Sequence, residues 1–170
     1  MENTQSLAEY PFTEKIEIKK NPYGDSRTAP EDVDFISFSE ANDSHRSDVR
    51  RVMERIADMV KEAGKNHDWT KTGPYEIDFF RDFMANLAGK QNFTDGAWYP
   101  MHVTTERHHL LSYCPDDVNI IDVLEMIVDC TLAGLTRSGT VRPVEIDSEI
   151  LKKAVDNTVE LIKNNVEIVE

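Results

Sequence analysis

From Ser44 to about Asn165 the apolar residues recur every three or four positions, which is the spacing of one face of an α-helix. That period decides what the chain can fold into, because a sheet needs alternation at every second residue. Ser44 offers itself as an N-cap. Val49, Val52, Met53, Ile56, Met59, Val60 and Ala63 form the first stripe, and Gly64 is its natural stop. A second helix is expected after Pro74, with Ile77, Phe80, Phe83, Met84 and Leu87 facing inward, ending near Gly89. Residues 92–100 read as loop, and His102 to Tyr113 is a candidate third helix. Pro115, Asp116 and Asp117 open a fourth, from Val118 to about Leu135, closed by Arg137-Ser-Gly139. It is apolar nearly all round, the mark of a central, buried helix. The last helix runs from about Asp147 to Asn165, with Ile150, Leu151, Ala154, Val155, Leu161 and Ile162 inward and Thr158 the one polar residue among them. The expected body is an all-α bundle of five or six helices.

Residues 1–40 break this pattern. They carry Pro11, Pro22 and Pro30, and two period-two segments, Lys15–Lys19 and Asp34–Ser39. These two predict either a short β-ribbon or an extended arm, so the chain divides into an N-terminal arm (1–40) and a helical domain (41–170). A length of 170 residues buries a real core without disulfides or a structural metal. Cys114 and Cys130 suit a reducing compartment in which both stay thiols. With 19 basic and 32 acidic side chains the net charge is −13. That balance argues against wrapping bulk nucleic acid and against docking on an anionic membrane. A small anionic substrate in a locally positive pocket stays compatible with it. The opening MENTQSLAEY has neither a basic nor an apolar signal region, and no run is long enough to span a bilayer, so a cytoplasmic protein is expected.

All five histidines fall between His45 and His109. The spacing puts His45 on the apolar face of the first helix, where an imidazole needs a hydrogen bond or a metal. His67 and Asp68, just past Gly64, set a neutral nitrogen beside an anionic oxygen. His102 and His109 share a face if their segment is helical, with His108 turned about 100° from His109. Asp129 lies on the buried fourth helix, with Asp122 and Glu125 nearby on it; divalent cations would neutralise such carboxylates. Each residue also has a plain structural reading. His45 could be a core histidine bonded to a carbonyl, Asp68 an Asx-type cap near Thr70 and Lys71, and Asp129 a partner of Arg107 or Arg137. Glu125 could orient a histidine. Trp69, Trp98 and Tyr99 read as core or pocket wall.

Taken in order, His45, the His67-Asp68 doublet, the later histidines and Asp129 resemble the HD-domain superfamily of metal-dependent phosphohydrolases, over roughly residues 40–140. HDWTK looks like that family's HDxxK variant, which places Lys71 beside the metals. His102, His108 and His109 resemble the subset that holds two metals. The stretches HDWTKTGPYEIDFF, HVTTERHH and EMIVD are similar to a group of small phage and bacterial HD-like proteins, which suggests a phage source and a host cytoplasm. The resemblance implies a helical HD-like core and a binuclear site for two divalent transition-metal ions, Mn or Fe ahead of Zn, Co and Ni. It implies His45, His67 and Asp129 on one ion, His102 with one or both of His108 and His109 on the other, and Asp68 bridging. It further implies catalytic parts for Asp68, Lys71 and His109, and phosphate binding by Arg46, Lys71 and Arg107. The reaction implied is hydrolysis of a phosphoester in a small nucleotide or nucleotide-like molecule. Trp98-Tyr99-Pro100 precedes the later histidine pair, where the cyclic-dinucleotide branch has a Gly-Tyr-Pro after it, so that substrate is not implied. Expected partners are a small phosphorylated substrate and, for assembly, a homodimer, with no bulk nucleic acid and no membrane. Two alternatives stand beside this reading. One is an HD-type di-iron oxygenase. The other is a non-catalytic acidic phage protein that inhibits a host factor, against which the charge is spread along the chain rather than blocked. P-loop, CxxC, HExxH and GxSxG motifs are absent.

Overall fold

The structure is a computed structural model that describes residues 14–141 and 143–169. Pro11 and the first third of the expected arm lie outside the described residues. Asp34 starts the first helix: its carboxylate accepts from the Ser37 amide and from Ser37 Oγ, each at 2.9 Å. Helix α1 then runs unbroken over Phe35–Asn66. Ser44 is therefore mid-helix rather than a cap, and Phe35–Ser39 is helical rather than extended, because the Asp34 cap outweighs five residues of alternation. The other alternating segment does form strand β1, Ile16–Lys19. Its partner is β2, Val166–Val169, at the far end of the chain, paired in parallel with Ile16 opposite Val166.

Between them lie α2 (Glu76–Leu87), α3 (Trp98–Thr105), α4 (Ile120–Ser138) and α5 (Ser148–Asn165). Among the described residues the fold is thus an all-α body with a two-stranded ribbon. Its long helices number four, short of the five or six expected, and α3 adds one of eight residues. The expected third helix is displaced: α3 ends at Thr105, and His108 and His109 sit in the turn that follows.

Residues 60–158 form one compact unit, and residues 14–59 with 159–169 another. In the first, Leu110, Val118, Val123, Met126 and Ala154 make a core, with Cys114, Ile120, Val144, Ile146 and Ile150 around it. Asn119 caps α4 by accepting from the Ile121 amide, and Asp122 returns the bond to the Asn119 amide, a capping box. Thr158, the lone polar residue on its stripe, accepts from the Ile120 amide (2.9 Å) and so closes the same helix start. Gly139, at φ 72°, ends α4 in the left-handed conformation that favours glycine. Helix α4 is one-sided rather than buried all round: Ile121, Asp122, Val123, Met126 and Gly134 are inside, while Leu124, Val128, Leu132 and Leu135 are exposed. Helix α2 also reverses expectation. Ile77 and Phe80 are 76% and 61% exposed, and Phe83, Met84 and Leu87 are also exposed. The opposite face packs instead, where Phe79 meets Trp98 (4.4 Å between rings) and buried Asp82 accepts from the Trp98 amide. Gly96 permits that approach, since a Cβ there would strike the Asp82 carboxylate.

In the second unit Arg51 donates to the Glu17 carbonyl (2.6 Å) and Arg55 to the Glu14 carbonyl (3.3 Å), tying α1 to β1. Ile16, Ala41 and Met59 are its buried apolar residues. No helix among the described residues is long and apolar enough to cross a membrane.

Candidate metal centre

The site lies wholly within residues 60–158. Helix α1 ends at Asn66, His67 follows, and Asp68 adopts φ 56°, a left-handed turn that throws its carboxylate back beside His67. A 3-10 turn, Trp69–Lys71, then carries Thr70 into the interior. His102 projects from α3, His108 and His109 from the turn after it, and Glu125 and Asp129 from one face of α4.

These residues converge in two groups that share Asp68: His67, Asp68 and His108, and Asp68, His102 and His109. In the first, His67 Nε2 is 3.3 Å from Asp68 Oδ2, and His108 Nε2 is 3.7 Å from Asp68 Oδ1. Asp129 flanks both imidazoles, 3.6 Å from His67 Nε2 and 3.9 Å from His108 Nε2. In the second, His102 Nε2 is 3.5 Å from Asp68 Oδ1 and 2.7 Å from His109 Nε2.

A second layer aims these nitrogens. His67 Nδ1 bonds Glu125 Oε1 at 2.9 Å. His108 Nδ1 lies 3.0 Å from the same oxygen, off the line of a well-directed hydrogen bond. One carboxylate thus backs two imidazoles, so that each Nε2 points to the hollow. On the other side Thr70 Oγ1 donates to Glu106 (2.6 Å), so it accepts from His102 Nδ1 (2.6 Å). Trp98 stacks on His102, with rings 4.3 Å apart and 19° from parallel, and its indole donates to the Thr70 carbonyl.

The residues fit a cation. Asp68 Oδ1 and His108 Nε2 are buried without any hydrogen bond, and His108 is only 2% exposed. Buried polar atoms are rarely left this way unless a ligand or ion answers them. Burial opposes ionisation of Asp68, yet the Lys71 ammonium bonded to it and the nearby imidazoles outweigh that, and its pKa falls below the ordinary value. Burial, then the neighbouring His109, depress His102 to about 3, and burial, then His108, depress His109 to about 4. Both rings stay neutral, which a metal ligand requires. Burial also opposes charge on Glu125, but His108 and His67 hold it ionised. His108 moves up, because Glu125, Asp68 and Asp129 overcome its burial. Two His/Asp groups are therefore placed to coordinate one divalent ion each.

The structure brings some of the sequence-based candidates together and leaves others apart. His67, Asp68, His102, His108 and His109 come together, with Asp129 on the rim and Lys71 on Asp68. His45 is exposed, sits nearly six helical turns before the end of α1, and joins neither group. The reading of it as a ligand on the apolar face is corrected accordingly. The pairing also changes: His108 goes with His67, and His109 with His102. Arg107 does not reach for substrate, since its guanidinium is consumed by Asp122 (2.8 and 2.9 Å) and Asp117 (2.8 Å). Arg46 is an exposed residue of α1, paired with Asp43. Asp122 belongs to Arg107 rather than to a metal. The roles of Thr70 and Glu106 behind His102 are not encoded in residue type; the one sequence signal for them is their place beside Asp68 and the His108-His109 pair.

A family model described as Family of unknown function (DUF5662) matches residues 36–168. The chain belongs to DUF5662. The DUF5662 match includes every donor of both groups and both backing residues, Glu125 and Thr70. No curated protein and no solved structure matches the chain.

Proposed function

We propose that the protein is a metal-dependent phosphohydrolase of the HD type, cleaving a phosphoester of a small nucleotide or nucleotide-like molecule at a binuclear centre. The observation that carries this reading is Asp68, one carboxylate shared by two imidazole pairs. The imidazole and carboxylate donors suit Mn, Fe, Zn, Co or Ni, and such ions when bound would supply a nucleophilic water at neutral pH and an electrophile for phosphoryl oxygens. The chain's own residues do the rest. Asp68 joins the two donor groups, and burial keeps the His102 and His109 rings neutral. Glu125 fixes His67 against rotation. With two divalent ions bound, their charge would outweigh Asp68, Asp129 and Glu125, and Lys71 would add to a positive hollow that favours a phosphate. Lys71 is the basic side chain bonded to Asp68 and the one suited to a phosphoryl oxygen.

The test is full-length protein loaded with Mn(II), assayed against nucleoside mono-, di-, tri- and cyclic phosphates. Chelator-sensitive phosphate release is expected. Asp68→Ala is expected to lose both ions and to lower the rate by at least about 10²–10³-fold. Full metal content and full rate in that variant would end the proposal.

A further inference from the structure

We infer that the two donor groups bind cations unequally: His67, Asp68, His108 and Asp129 hold a resident ion, and Asp68, His102 and His109 take an exchangeable second ion that completes the centre only when metal is plentiful. This rests on the metal-dependent reading above and adds its regulation.

Ligand spacing is the first argument. Nitrogen and oxygen ligands lie about 2.1 Å from such an ion, so adjacent ligands are about 3.4 Å apart in a tetrahedron and about 3.0 Å apart in an octahedron. The first group spans 3.3 to 3.9 Å between its nitrogens and carboxylate oxygens, already at ion-accepting separation. In the second, His102 Nε2 and His109 Nε2 stand at 2.7 Å, closed on each other. An ion there must first push the rings apart.

That contact is a hydrogen bond with a definite direction. His102 Nδ1 donates to Thr70, so a neutral His102 presents a bare Nε2 and His109 donates its Nε2–H to it. His109 becomes a ligand through Nε2 only by moving that proton to Nδ1. Loading the second group therefore breaks a bond and changes a tautomer, whereas His67 in the first group is already turned correctly by Glu125.

Charge and anchoring act the same way. The first group has Asp68 among its donors, Asp129 flanking both imidazoles and a third carboxylate behind its rings. The second has only the shared Asp68. His109 also lacks a backing partner on Nδ1 among the described residues, while its ring is partly exposed. An ion held by three protein donors keeps positions open for exchange and for substrate.

Chelator-stripped, full-length protein titrated with Co(II), followed by equilibrium dialysis and visible absorbance, reads this directly. Two equivalents should bind, with dissociation constants at least about tenfold apart. His109→Ala should remove the weaker class and leave the tighter within about threefold, and Asp129→Asn should weaken the tighter by about tenfold or more. Circular dichroism checks folding, and His109→Gln serves if the alanine variant unfolds. Two equal classes, loss of the tight class in the His109 variants, or no binding of Co(II) overturns the inference. Unequal binding without hydrolysis of any phosphoester supports it while removing the phosphohydrolase reading. Hydrolysis with two equal classes does the reverse.

Discussion

The unit of residues 60–158 and the unit of residues 14–59 with 159–169 use similar amino acids to opposite ends. The first carries Asp82, His102, Glu106, His108 and Asp122 in its interior, most of them answered by another residue. The second has no fully buried charge among its described residues, and its charges pair one turn apart on α1, such as exposed Arg46 with Asp43 and half-buried Arg51 with Asp48. His108 and His45 make the contrast sharpest. One imidazole is buried with a bare nitrogen facing two carboxylates, and the other stands in solvent. What marks chemistry in this chain is the burial of titratable groups, not their number.

The contrast would break most visibly at Arg107. Its guanidinium is 12% exposed and Asp122 is 1% exposed. Burial alone would hold Asp122 protonated and discharge Arg107; the bonds between them, with Asp117, keep the arginine firmly charged. Arg107→Ala leaves a buried carboxylate with no cation and should lower stability by about 3–5 kcal/mol. Urea unfolding monitored by circular dichroism measures it. A change within about 0.5 kcal/mol would mean that the interior pair is no more than a surface one.

Acid probes the same difference more gently. His102 and His109 titrate at about 3 and about 4 in the folded chain, against 6.5 when unfolded. Below pH 6.5 the unfolded cation-free chain takes up protons that these two rings refuse, so stability falls as the pH drops from 6.5 toward 4. The slope is at most about 1.4 kcal/mol per pH unit for each ring, less for the partly wet His109. His108, shifted the other way, contributes fully below 6.5 and loses its contribution as the pH rises through its folded value. Urea midpoints at pH 7, 6 and 5 should therefore slope downward. His102→Gln with His109→Gln should flatten that slope, and His45→Gln should not. An unchanged slope in the double variant would show that the rings are not held neutral.

Legibility in the sequence follows the same division. Signals made by neighbours in the chain were readable: the opening of α4 near Asp116 and Asp117, its end at Gly139, the start of α5 at Asp147, and the alternation of β1. Signals that depend on which face meets which were not. The stripe Ile77, Phe80, Met84 and Leu87 is the more apolar side of α2, but Asp82 must reach the Trp98 amide, and that bond turns the stripe outward. At the site, the His-Asp doublet, the later histidines and Asp129 were visible as an ordered set. The period alone gave His45 an inward face that it lacks. Nothing in residue type separated His108 from His109 as partners, because both lie past the end of α3 in a turn whose path no periodicity encodes. The share of Thr70 and Glu106 in aiming His102 exists only across the fold.

The smallest effect is the most useful control. The Arg46 and Asp43 side chains are 81% and 72% exposed and 3.3 Å apart. Such a pair gains little in water of high dielectric, loses side-chain entropy, and is screened by salt. Arg46→Ala should change stability by no more than about 0.5 kcal/mol, and raising the salt should shrink even that. Because Arg46 touches neither donor group, Co(II) binding should keep both classes and phosphoester turnover should keep its rate. A loss of turnover with binding intact would return Arg46 to substrate recognition, and would mean that residues of the second unit take part in the reaction.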